Sequence, residues 1–240
     1  MTPRRVGPVL AAALAIGTFA PASSGASGGA HLATRADLAA LESRMRGGDE
    51  GSFTATYRVG RSGPAAGTLE VAQRAAAGHS AWPRGPGQWT YTLRRASGQV
   101  NQWVERAGVV TTCARKGPGT PITCSAPLAY HDANFFVIGA TPFVPGSFLE
   151  QVRSLAARAP RSGPDPGVSL REVRLGRLSA TCLSVGPVRS GPQSICVARS
   201  GRVVLASGAS PLGGLAFPVV LTSWSSAVAG RPFALLGPRP

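Results

Sequence analysis

The chain has 240 residues, 43% of them hydrophobic and only 15% charged, and its 25 Lys+Arg against 10 Asp+Glu give a net charge of +15. Gly (31) and Pro (21) are too abundant for a helical bundle, and this composition excludes a coiled coil, a collagen, a multi-span membrane protein and wholesale disorder. Four cysteines and three histidines leave little material for a metal centre, and no cofactor is implied.

The first 22 residues have the three-part layout of a secretory signal. Arg4-Arg5 follows Met1-Thr2-Pro3, an apolar run extends from Val9 to Phe19, and Ala20-Pro21-Ala22 supplies an A-x-A cleavage pattern. A membrane anchor is the competing reading, but a spanning helix needs ~20 apolar residues to cross a ~30 Å hydrocarbon core, more than this run offers. No cysteine stands near residue 20 to take a lipid. The mature protein is therefore expected to be secreted and soluble. Residues 23–32, opening SSGASGGA, read as a flexible lead-in, and 33–240 as a single domain.

A short helix opens that domain. Thr34 can cap it, Asp37 stands three residues on in capping-box fashion, Leu38, Leu41 and Met45 share one face, and Gly47-Gly48 is expected to stop it. From Phe53 the period changes to two: Phe53, Ala55, Tyr57 and Val59 point one way, Thr54, Thr56 and Arg58 the other. Thr68–Gln73 continues the pattern after a turn over Arg61–Ala66. Beyond a Gly/Pro-rich gap at His79–Gly87, Trp89, Tyr91 and Leu93 alternate with Thr90, Thr92 and Arg94. Ser97-Gly98 turns the chain into Val100–Glu105, and Ala107-Gly108 into Val109–Cys113.

The middle breaks this rhythm. Ser147 and Glu150 form a second capping box, and Phe148, Leu149, Val152, Leu155 and Ala156 make a helical stripe that Pro160 ends. Arg161–Gly167 reads as a loop. Strands resume over Val168–Leu175, Leu178–Val185, Gln193–Ala198, Val203–Ser207 and Phe217–Trp224. The result is a mainly β, α+β domain, in which a meander interrupted once by a helix suits a strongly curved antiparallel sheet. That sheet would be an unclosed half-barrel wrapped around a central helical lid.

The four cysteines, at 113, 124, 182 and 196, are an even number in an exported chain and allow three pairings. Local geometry favours one of them. Cys182 and Cys196 flank the loop Gly186–Gly191 almost symmetrically, and Cys113 and Cys124 flank the turn-rich Lys116–Pro121 in the same way. Facing cross-strand residues approach to ~4.5 Å, within reach of a disulfide. Neither pair has the spacing of a zinc site.

Catalytic material is sparse. No G-x-S-x-G is present, Gly146-Ser147-Phe148 reads as a helix cap, and His131-Asp132 reads as a turn rather than an acid–base dyad. No phosphate-cradling loop precedes a helix, and paired carboxylates are not evident. A non-enzymatic protein is expected. All the basic residues but Lys116 are arginine, spread along the chain rather than clustered with aromatics, which argues against nucleic acid. At most they allow peripheral contact with an anionic membrane or cell-wall surface.

The informative feature is apolar. Phe135, Phe136, Phe143 and Phe148 crowd together with Tyr130 in a stretch broken by Gly139 and two prolines. Loops normally avoid such residues, so these must cover something: the core, a partner or a ligand. Ligand pockets are mostly apolar with few polar groups. A cavity lined by Tyr57, Trp89 and Tyr91, with Phe135, Phe136, Phe143, Phe148 and Val152 from the lid, is therefore the candidate site.

The order of a signal, an N-terminal helix, the strand pairs FTATYRV…GTLEVAQR and QWTYTLR…GQVNQWVE, an apolar helical insertion and a final FPVVLTSWSSAVAGRPFALLGP resembles the LolA/LppX-like lipoprotein-carrier-fold family, in a secreted actinobacterial form. The resemblance covers most of the mature chain and rests on architecture, not on a single motif. It implies an unclosed antiparallel barrel, capped by helices, that encloses a cavity for acyl chains. A lipid or other apolar small molecule is the implied ligand. An extracytoplasmic protein partner, met by a sensing module of the same fold with a filled core, is the alternative. The chain lacks the lipidated cysteine of lipoprotein relatives, and the two hairpin disulfides are not general to the family.

Overall fold

The computed structural model describes residues 29–49, 51–75, 88–129, 147–175, 177–188, 191–207 and 218–238. The signal sequence read over 1–22, most of the lead-in and Phe135, Phe136 and Phe143 lie outside the described residues.

Among the described residues the fold is an antiparallel sheet of thirteen strands with two helices. Five strands, β2 (Phe53–Val59), β3 (Gly67–Arg74), β4 (Gln88–Arg95), β5 (Val100–Arg106) and β6 (Val109–Arg115), form a first meander in chain order. A second meander comprises β9 (Pro164–Leu175), β10 (Leu178–Val188), β11 (Gly191–Ala198), β12 (Val203–Ser207) and β13 (Val219–Ser225). The two join where β13 pairs with β2, so the last strand of the chain lies in the middle of the sheet. β1 (His31–Thr34) extends the edge at β9, while β7 (Thr123–Cys124) and β8 (Leu128–Ala129) both lie on β6. β1 and β7 stand at opposite ends of the strand order and do not pair, which leaves the half-barrel unclosed.

The alternation read from Phe53 onward sets the inner face. Phe53, Ala55, Tyr57 and Val59 are buried, and register carries this face through Val71 opposite Ala55, Tyr91 opposite Val71, and Trp103 opposite Tyr91. Across the second meander the same face carries Val168, Leu170, Leu183, Ile195 and Val197. These pack against the helix pair α1 (Arg35–Asp49) and α2 (Ser147–Arg158) through Leu38, Leu41, Met45, Val152 and Ala156. Phe148 of α2 touches this cluster and the aromatic cluster of the first meander. The two groups adjoin where Ile195 of β11 pairs with Ala206 of β12, so one side chain of α2 can touch both.

Helix α1 begins as its residues require. The Thr34 hydroxyl accepts from the Asp37 amide at 3.2 Å, and Asp37 Oδ2 accepts from the Thr34 amide at 2.9 Å and its hydroxyl at 2.7 Å. Arg35 bridges the helices by donating to the carbonyls of Ala156 and Ala157, near the negative end of α2, at 3.1 Å each. Glu42 is shared between Arg46 at 2.7 Å and Arg153 at 3.2 Å.

Several boundaries differ from the sequence expectation. α1 does not stop at Gly47-Gly48 but runs to Asp49. The reason is tertiary: a Cβ on Gly48 would run into the backbone of Gly201, and one on Gly201 into the carbonyl of Arg44. The glycine here permits a close helix–turn approach instead of ending the helix. The Arg161–Gly167 stretch is not wholly a loop, since β9 starts at Pro164, where it pairs with Thr34 at the sheet's edge. An edge tolerates proline because no ladder donor is needed on the solvent side. His31 and Leu32, assigned to the lead-in, pair with Leu170 and Ser169.

The outer face is built differently. Both disulfides lie there: Cys113–Cys124 joins β6 to β7, and Cys182–Cys196 joins β10 to β11, with Cα separations of 4.0 and 3.9 Å. Cys182 and Cys196 face each other in the ladder, as the symmetric flanking of their turn predicts. One cross-strand row on this face runs Arg171, Cys182, Cys196, Leu205, Val220, Arg58, Thr68, Arg94. Its arginines are exposed and set apart, in keeping with a solvated basic surface. The C-terminal segment then crosses the first meander. Phe233 is buried against Ala72 and Val104, and Arg74 lies 5.0 Å over its ring. The Gln102 side chain, itself buried, donates to the Ala234 carbonyl at 2.8 Å and accepts from the Leu236 amide at 2.9 Å, and Arg106 donates to the Phe233 carbonyl.

Candidate functional site

The inner face of the first meander gathers the large aromatics. Trp89, Tyr91 and Trp103 are each 1% exposed, and Tyr57 is 8% exposed. Trp89 and Trp103 meet edge to face with centroids 6.2 Å apart, and Phe53 stacks on Trp224 at 4.3 Å. Arg202 lies 4.0 Å over the Trp224 ring, a cation–π contact at the rim of this cluster. The Tyr57 hydroxyl donates to the Val203 carbonyl at 3.2 Å, linking β2 to β12.

Of the residues expected to line a cavity, Tyr57, Trp89 and Tyr91 share one apolar cluster, and Phe148 packs against it from α2. Val152 does not join them. It is fully buried one turn further along α2, against Leu38, Leu41 and Met45 of α1 and Leu183 of the sheet, so it fixes the helix pair in place. Phe135, Phe136 and Phe143 lie outside the described residues.

Three inner-face groups escaped the sequence reading: Trp103, Trp224 and Glu105. Trp103 stands between Asn101 and Glu105 in a strand whose other face reads Val100, Gln102, Val104. Apolar residues on both faces hide which one is inward. Glu105 is 4% exposed, opposite Trp89 on β4 and Val110 on β6. Its Oε1 accepts from the Gly108 amide at 2.6 Å, in the turn where Ala107 and Gly108 both take left-handed backbone, φ 53° and 79°. Burial pushes the Glu105 carboxyl above the ordinary carboxylate range, while the Gly108 amide pulls it down. Burial raises the Tyr91 phenol as well, and nearby Arg95 opposes this, so Tyr91 stays protonated.

Chemically the site is an aromatic and aliphatic surface carrying a few polar ends. Among the described residues no three His, Cys, Asp or Glu side chains gather to hold a metal, and His31 is an exposed residue 3.8 Å from Asp37. No described helix is long and apolar enough to cross a membrane. The paired cysteines belong to a protein that folds in an oxidising, extracytoplasmic compartment.

No family model and no curated protein matches the chain. Among solved structures it is similar to one titled "Crystal structure of MucB in complex with MucA(peri)", with a TM-score of 0.45 and 16% identity. That match covers 83% of this chain and 59% of the other, so the chain spans less than two thirds of its neighbour's length.

Proposed function

We propose that the chain is a secreted, non-enzymatic binding protein whose inner sheet face takes a lipid or another apolar molecule beside α2. The observation that carries this reading is the segregation of aromatics: Tyr57, Trp89, Tyr91 and Trp103 all lie on one face, and Phe148 of α2 packs against them. Such a surface rewards an alkyl chain with about 0.8 kcal/mol per buried methylene, so eight methylenes give about 6 kcal/mol before ordering costs. The reading extends to Phe135, Phe136 and Phe143 on the strength of the sequence alone.

The test is native mass spectrometry of the chain purified from an extracytoplasmic fraction, with titration of a neutral fluorescent alkyl probe. A co-purifying apolar adduct and saturable probe binding are expected. Absence of both overturns the reading. The rival is a protein-interaction module with a filled core, favoured by the near-complete burial of Trp89, Tyr91 and Trp103. It predicts no probe binding and one specific extracytoplasmic partner in pull-downs.

A further inference from the structure

Among the described inner-face residues, Glu105 and Tyr91 each carry a buried oxygen without a partner, and Trp224 a buried Nε1. Glu105 Oε2 and Tyr91 Oη are buried and unpaired, in residues 4% and 1% exposed. Native interiors leave few such groups unpaired, and each one asks for an explanation. The turn accounts for half of Glu105 only: Oε1 holds the Gly108 amide, and Oε2 is left over. Nothing comparable accounts for the Tyr91 hydroxyl.

Register brings the two together. On β4 and β5, Tyr91 faces Trp103 and Trp89 faces Glu105, so Tyr91 and Glu105 are diagonal neighbours on the same face, about 7–8 Å apart. Val71 flanks Tyr91 on β3, and Val110 flanks Glu105 on β6. The arrangement is a carboxyl and a phenol set in a mostly apolar wall, with Gln73 diagonal to Tyr91 and Arg95 near its phenol.

We infer that this pair is the headgroup anchor of the site, and that the ligand is an amphiphile whose polar end is a hydrogen-bond-donating cation, such as a long-chain primary ammonium. The inference rests on the reading that the inner face takes an apolar ligand, and adds the chemistry of its head. An ammonium brings three donors and no acceptor. Glu105 Oε2 accepts one in a charge-assisted bond, the Tyr91 oxygen accepts another, and the tail lies along Trp89 and Trp103. A carboxylate head would bring a second negative charge to Glu105, and an alcohol would satisfy the pair without charge assistance.

The full mature chain is titrated with chain-matched dodecylammonium, dodecanol and dodecanoate below their aggregation concentrations, with tryptophan fluorescence and calorimetry as readouts. Wild type is expected to bind dodecylammonium about tenfold or more tightly than dodecanoate, with dodecanol between. Glu105→Gln keeps an acceptor for the Gly108 amide and is expected to bring the ammonium-to-carboxylate ratio to within about twofold while dodecanol binding persists. Tyr91→Phe is expected to weaken ammonium and alcohol by about threefold to tenfold. Equal or tighter binding of dodecanoate by wild type overturns the inference and leaves the apolar-ligand reading standing, as does an unchanged ratio in folded Glu105→Gln. Failure of all three amphiphiles to bind overturns both. The wild-type ratio decides the matter even where Glu105→Gln fails to fold.

Discussion

The two faces of the sheet solve the same burial problem by different means. The inner face of the first meander uses large rings, Tyr57, Trp89, Tyr91 and Trp103, which meet α2 through Phe148. The outer face uses small and local devices: two cross-strand disulfides, Ala72 and Val104 under Phe233, and Gln102 bonded to the C-terminal backbone. A face closed by covalent links and its own chain terminus has no room to exchange partners. A face packed against a separate helix is held to it by noncovalent contacts. On the function proposed above, the outside is scaffold and the inside is the recognition face.

The largest way to break this contrast is on the inside. Trp103→Ala removes a ring that touches Trp89 and stands opposite Tyr91, and is expected to cost about 3–5 kcal/mol, read by urea unfolding. It should also lower alkyl-probe affinity at temperatures where the variant remains folded. A variant that lost stability but kept full probe affinity would place the ligand elsewhere.

The outer counterpart is Cys182→Ala with Cys196→Ala. The bridge spans 14 residues, for which chain entropy gives about 3 kcal/mol, and the mutant is expected to unfold earlier by that amount. Alkyl-probe binding to the folded mutant should be unchanged. A loss of affinity there would show that the faces are coupled and that the scaffold assignment is wrong. A smaller effect sits at the edge between them: Thr34→Ala removes the hydroxyl that caps α1 and should cost about 1 kcal/mol.

The legible parts of this fold were those where local pattern and tertiary outcome agree. Phe53–Val59 alternates cleanly because one face is core and the other is not, and its strand has the bounds the alternation marks. The Cys182–Cys196 ladder pair follows from turn symmetry. What stayed hidden depends on distant chain. Gly48 reads as a helix stop, and only the approach of Gly201 shows why a glycine is needed inside the helix. His31–Thr34 is too short to announce itself as a strand and exists because β9 offers an edge. Phe233, in a Pro/Gly-rich tail, gives no sign that it will cover Ala72 and Val104. Of the candidate site, the rings at 57, 89 and 91 were readable from period two. Glu105 was not, because nothing in NQWVER says which face turns inward until β4 fixes the register.

The smallest effect is a pH slope, and it separates the buried acid from the helix-capping one. Burial raises the Glu105 carboxyl above its unfolded value of 4.5, so between that value and the folded one the native state holds a proton that the unfolded chain has released. Its contribution to stability is intact below pH 4.5 and is lost as pH rises through the folded value. Asp37 has the opposite sign. Hydrogen bonds from Thr34 hold it below 3.8, so its contribution is present above that pH and is lost as pH falls through the folded value. Urea unfolding from pH 3 to 8 should therefore show Glu105→Gln losing the decline on the alkaline side, and Asp37→Asn losing the decline on the acid side. A wild-type profile in which Glu105→Gln leaves the alkaline arm unchanged would mean that Oε2 reaches water after all, and that the inner face is no drier at this point than the outer one.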